Sequence, residues 1–115
     1  MSKSRDISKI EDWQVAKAWV VFTSTTGGIL SSHNVTSITR NSAGTYTINF
    51  ENAFPNKNYC VVALPDFKSA ITNTCTIVTR DVNNTASTCQ IVTSYGSNVV
   101  TDLGGPVRVL VFADT

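Results

Sequence analysis

Three kinds of residue in this chain could do chemistry: one histidine, three cysteines and a scatter of carboxylates. His33, beside Asn34, is the only side chain that ordinarily changes charge near neutral pH. A general base also needs a nucleophile or carboxylate to work with. None stands near His33 in the sequence, so it reads as a surface or interface residue. Cys60, Cys75 and Cys89 are 15 and 14 residues apart, with no CxxC pair and no second histidine, which does not make a zinc set. Their odd number argues against a disulfide framework. A hairpin centred near Asn83 and Asn84 would set Cys75 opposite Val92 and Cys89 opposite Val78. Cysteines three residues out of register are too far apart to bridge. Three small buried thiols in a reducing compartment is the simplest reading.

The remaining candidates are weaker. Glu51, Asp66, Asp81, Asp102 and Asp114 occur singly, and no spacing pairs two of them as acid and nucleophile. Asp81, Asn83 and Asn84 form an oxygen-rich stretch that reads as a solvated turn rather than a calcium loop. Gly27-Gly28 and Gly104-Gly105 lack the Lys-Ser or Lys-Thr that follows a phosphate loop, and read as turn formers. The chain is therefore expected to be no enzyme and to hold no cofactor and no metal.

The elements that would position these residues are strands. Val15 to Phe22 is a β-rich run, followed by a turn-prone stretch and a short second strand at Gly27–Ser32. Val35–Arg40 and Thr45–Phe50 flank Asn41-Ser42-Ala43-Gly44, a connection suited to a hairpin. Tyr46, Ile48 and Phe50 point one way and Thr45, Thr47 and Asn49 the other, which makes Tyr46, Ile48 and Phe50 one wall of a core. Tyr59–Leu64 is apolar on both faces, so it is either a central strand or one covered by a partner. Pro65-Asp66 is expected to end it. Thr74–Arg80 and Ser87–Ser94 form a second hairpin, and Val107–Phe112 closes the domain from inside a sheet. About eight short strands predict an all-β antiparallel sandwich, jelly-roll-like, over residues 14–115. Residues 1–13 differ: they carry three basic and three acidic residues, with Ile7, Ile10 and Trp13 spaced by three. They read as an assembly arm, ordered only by docking.

Composition narrows the partners. The net charge of +1 gives no field to attract a polyanion, so nucleic acid is not expected. Only 15% of the 115 residues are charged, and Ser, Thr and Asn fill the polar positions. No apolar run reaches the eighteen residues that would suggest a membrane span. The first residues lack the apolar stretch of a signal peptide, which points to synthesis and assembly in a cytoplasm.

Lys17-Ala18-Trp19-Val20-Val21-Phe22 resembles the Lys-Ala-Trp-Val-x-Phe opening of a family of small bacteriophage virion modules. Asn34-Val35-Thr36-Ser37-Ile38-Thr39-Arg40-Asn41 and Gly44-Thr45-Tyr46-Thr47-Ile48-Asn49-Phe50 continue the resemblance in order, with Ala53 and Tyr59 after them. It covers roughly residues 17–63. Here Phe22 runs into Thr23-Ser24-Thr25-Thr26-Gly27, where the family often has a glycine-rich turn. The resemblance implies a virion protein assembled in a host bacterium, a capsid decoration protein or a tail-fibre tip, working as a homotrimer against other virion proteins. In the tip reading, loops at Thr23–Ser32, Phe67–Asn73 and Tyr95–Gly105 would meet a host surface glycan or protein. A carbohydrate-binding module outside any virion, with Tyr95 and Trp13 as stacking platforms, is a separate reading. Trp19 and Phe22 have odd spacing and so lie on opposite faces of a strand, one for the core and one for a subunit contact.

Overall fold

The computed structural model describes residues 15–67, 75–79, 81–95 and 99–113. The assembly arm with Ile7, Ile10 and Trp13 lies outside them, as do residues 68–73 of the loop at Phe67–Asn73 and 96–98 of the loop at Tyr95–Gly105.

Nine strands are described, in two antiparallel sheets that form an all-β sandwich. They are β1 (Ala18–Thr23), β2 (Ile29–His33), β3 (Val35–Ser42), β4 (Thr45–Phe50), β5 (Cys60–Phe67), β6 (Cys75–Thr79), β7 (Thr88–Tyr95), β8 (Val99–Val100) and β9 (Gly104–Phe112). Sheet A runs β2-β1-β9-β5; sheet B runs β3-β4-β7-β6, with β8 paired to β7. Among the described residues no helix is long and apolar enough to cross a membrane.

Alternation builds the core. In β1, Ala18, Val20 and Phe22 are buried, while Trp19, Val21 and Thr23 are only partly covered. In β9, Val107, Val109 and Val111 point inward the same way. Tyr46, Ile48 and Phe50 form the facing wall in sheet B, with Cys89 and Ile91 of β7 beside them. Phe22 meets Tyr46 edge-on across the sheets, centroids 5.1 Å apart. Phe50, Phe54 and Tyr59 close one end as an aromatic cluster with centroid separations of 4.8 to 5.5 Å.

Two turns depend on unusual backbone. Ala43-Gly44 is the actual β3–β4 turn, tighter than the four-residue connection expected. Gly44 has φ +76°, and a Cβ there would lie 2.5 Å from the Thr101 backbone nitrogen. Asn34, at φ 56°, turns the chain from sheet A to sheet B. Its Oδ1 accepts the Asn52 N–H at 2.7 Å and its Nδ2 donates to the Asn52 carbonyl at 3.3 Å, holding that corner closed.

Several sequence expectations change. β5 continues through Pro65 and Asp66 to Phe67, as a sheet edge permits. Among the described strands its one neighbour is β9, so it lies at the edge of sheet A rather than at its centre. The β6–β7 register is three residues from the expected one: Cys75 pairs with Tyr95 rather than Val92, and Val78 pairs with Val92 rather than Cys89. The turn is longer because Asp81–Asn83 form a 3-10 turn and the Asn84 side chain caps the Gln90 N–H at 3.0 Å. Cys75 and Cys89 end further out of register than expected.

Candidate association face

The inner faces of both sheets are consumed by the core, so any surface for a partner must come from an outer face, an edge or a loop. The outer face of sheet A follows from strand pairing. Trp19 pairs with His33 on one side and Leu110 on the other, and Leu110 pairs with Val62. The next outward row is Ser31, Val21, Arg108 and Leu64. Paired residues in antiparallel strands share a face, so Trp19, Val21, Val62, Leu64 and Leu110 form one apolar surface. Together with the Arg108 stem they line a shallow groove of about 300 Å³. Leu64 is 68% exposed, Val62 47% and Leu110 42%.

The sequence-level expectations separate cleanly here. Trp19 and Phe22 lie on opposite faces: Phe22 is fully buried in the core, and Trp19 sits on the outer face. His33 lies beside Trp19 at the sheet edge. Its other neighbours, Lys17, Asn34, Glu51, Asn52 and Phe54, line a hollow of about 580 Å³ of mixed character, with Ala53 and Pro55 adding to its apolar wall. No cysteine or second histidine is among them. Cys60 is an exposed free thiol on β5, contrary to the expectation that all three would be buried. Cys60 alternates with the core-facing Tyr59 and Val61, so it shares the outward face of β5 with Val62 and Leu64. Cys89 is buried, and that burial pushes its thiol up to about 11, so it is inert at neutral pH. Among the described residues no three His, Cys, Asp or Glu side chains converge as a metal group.

The sequence reading missed Val21, Leu64 and Leu110 as surface residues. Their signal was present as apolar runs without alternation in Val20–Phe22, Cys60–Leu64 and Val109–Phe112. It also missed a polar clasp around Asp102. The Asp102 carboxylate accepts from Arg40, from the Tyr46 hydroxyl and, at 2.8 Å, from the Gly44 N–H. The Tyr46 hydroxyl also lies 2.8 Å from the Ser24 carbonyl oxygen, so its single proton serves two acceptors. Burial alone would raise the Asp102 carboxyl; the bonds from Arg40, Tyr46 and Gly44 outweigh it and hold it below the usual range. Tyr46 shifts the other way: burial and the adjacent carboxylate raise its phenol. The clasp fixes the 101–103 loop against the β3–β4 turn. Each group is satisfied by another in the same chain, which describes a structural tie rather than a reactive centre.

The fold and this surface define a class: a small antiparallel β-sandwich with one apolar outer face. No family model, curated protein or solved structure matches the chain.

Proposed function

We propose that this chain is a non-enzymatic structural protein of a bacteriophage particle, a homotrimeric capsid decoration or accessory protein. The observation that carries the reading is the apolar outer face of sheet A. A sandwich that works alone ordinarily keeps its outward positions polar. Here Trp19, Val62, Leu64 and Leu110 stand outward, which suits a domain that acts by packing against neighbours. The Lys17–Phe22 and Gly44–Phe50 blocks, with their resemblance to phage virion modules, supply the particle. Mass spectrometry of purified particles tests the reading. Many copies per particle support decoration; absence from the particle overturns it.

A second reading is a tail-fibre tip that recognises a host glycan or protein. The hollow around Lys17, His33, Glu51 and Asn52 favours it, because it sets charged and amide groups beside the apolar Ala53, Phe54 and Pro55 in a concave site. A few copies per particle, antibody labelling confined to the tail and glycan-array binding that is lost in His33→Ala would support this reading over decoration.

A further inference from the structure

We propose that the hollow beside the Asn34 corner is a binding site for a neutral sugar. The inference rests on the second reading above and deepens it, choosing a glycan over a protein as the ligand of this site.

The first argument is how the hollow is built. Lys17 leads into β1, His33 ends β2, and Glu51 to Pro55 follow β4, so three separate segments meet there. Hydrogen bonds hold its walls in place. The Glu51 N–H donates to the Asn34 carbonyl at 3.1 Å and the Phe54 N–H to the Ala86 carbonyl at 2.9 Å. The Asn34 side chain bonds Asn52 in both directions. Phe54 is 8% exposed and rests on the rings of Phe50 and Tyr59. Asn34 keeps a left-handed backbone at the corner, a conformation that persists only where its surroundings fix it. Walls set before a ligand arrives leave little order to be lost on binding.

The second argument is size. The hollow, about 580 Å³, falls within the roughly 300–1,000 Å³ of sites for small ligands. A protein is recognised over a broader surface, about 800 Å² on each side. The hollow suits a ring-sized group instead.

The third argument is chemical. The Lys17 ammonium only donates, the Glu51 carboxylate only accepts, and the His33 imidazole does either. Ala53, Phe54 and Pro55 add an apolar wall. An anionic ligand would meet Glu51, and a cationic one Lys17. A wholly apolar ligand would strip water from these polar groups and return no bonds. A zwitterion matches both charges, but His33 and Glu51 are exposed, and exposed ion pairs return little. A sugar answers both walls. Each hydroxyl donates and accepts, so neighbouring hydroxyls span a donor and an acceptor, while ring C–H groups pack on the apolar side.

Nuclear magnetic resonance titration of the full chain tests the proposal. The probes are glucose, galactose and N-acetylglucosamine, with inorganic phosphate, acetate and leucine as charged controls. Circular dichroism establishes that the variants Glu51→Gln and His33→Ala, and the control Asn49→Ala on sheet B, are folded. At least one sugar is expected to shift the amides of His33, Asn34 and residues 51–54 saturably. Glu51→Gln and His33→Ala should each weaken that binding by about tenfold, since each removes a strong hydrogen-bond partner. Asn49→Ala should leave it unchanged. Shifts at these residues with the charged controls alone overturn the sugar assignment. Sugar shifts that map elsewhere, or that survive both substitutions, overturn this site and leave a glycan-recognising tip standing. No response to any sugar overturns the inference, and antibody labelling of the tail would then keep the tip reading with a protein as its target. Sugar shifts at the hollow without labelling of the tail uphold the site and overturn only the tip reading.

Discussion

The two outer faces of the sandwich differ in balance: sheet B is polar over β3 and β4 and carries apolar Val92 and exposed Val78 toward its β6 edge, whereas sheet A is apolar across three strands. On sheet B, Thr39, Thr47 and Gln90 share one row, and Ser37 and Asn49 the next. These side chains bond to one another: Asn49 donates to Ser37 at 3.0 Å and Thr39 at 3.1 Å, Thr47 to Asn41 at 2.8 Å, and Asn83 to Gln90 at 2.7 Å. On sheet A the corresponding positions carry Trp19, Val21, Val62, Leu64 and Leu110. Sheet B meets its own polar needs within the chain and is compatible with water. Sheet A leaves apolar area that only another surface can cover. The same fold thus separates stability from association, and substitutions on the two sheets should separate them too.

The largest effect belongs to the core beneath both faces. Phe22→Ala removes a fully buried ring in edge contact with Tyr46, and should cost about 3–5 kcal/mol in a urea melt. Trp19→Ala, on the opposite side of the same strand, should cost much less under dilute conditions, where the outer face is uncovered. Equal losses for the two would mean that Trp19 is buried within a single copy, and the contrast between the faces would fail.

Gly44→Ala comes next. The left-handed backbone and the near approach of Thr101 both oppose a side chain there. A loss of about 2–3 kcal/mol is expected in the same melt, with the oligomeric state of the surviving folded fraction unchanged. A loss of assembly at constant stability would place the β3–β4 turn in the interface and shift the partner surface toward sheet B.

Asp102→Asn tests the clasp that ties the 101–103 loop to sheet B. It should cost about 1–3 kcal/mol at neutral pH, because Arg40 and Tyr46 lose a charged acceptor. The sign with pH follows from the lowered Asp102 pKa. The folded state binds this proton less readily than the unfolded chain does. The stabilisation is present above the ordinary carboxylate pKa and fades as pH falls through the lower, folded-state value. Asp102→Asn should therefore narrow its gap to wild type in acid. A gap that stays constant from pH 7 to pH 3 would remove the carboxylate's charge from the account.

Which of these features the sequence discloses depends on range. Tyr46, Ile48 and Phe50 are legible as a core wall because alternation is local to one strand, and all three are buried as expected. The opposite faces of Trp19 and Phe22 follow from odd spacing alone. The inner position of the last strand was also legible: β9 lies between β1 and β5. Phe54 was not, because it lies in a loop without periodicity and is buried only through Phe50 and Tyr59. The Asp102 clasp joins residues 62 and 56 positions apart, and no local pattern announces such a pair. Tyr59–Leu64 is the instructive case. Its pattern correctly signalled two apolar faces, but a strand's neighbours are set by topology, and only the sheet order distinguishes centre from edge.

The smallest effect is the sharpest control. Asn49 belongs to the polar ladder of sheet B and is only partly exposed, and Asn49→Ala removes bonds to Ser37 and Thr39. Water can replace an amide at such a position, so the expected cost is about 0.5 kcal/mol. Sedimentation should be indistinguishable from wild type. Leu64→Ala truncates a more exposed side chain and, in a dilute monomer, should also cost about 0.5 kcal/mol or less. Its effect on assembly should nevertheless be measurable, because the lost area is area that a packed neighbour would cover. Two substitutions matched in monomer stability but different in assembly would tie the distinction to the face itself. If Asn49→Ala weakened assembly as much as Leu64→Ala, the polar ladder would be a contact surface too, and apolarity would no longer distinguish the associating side of the sandwich.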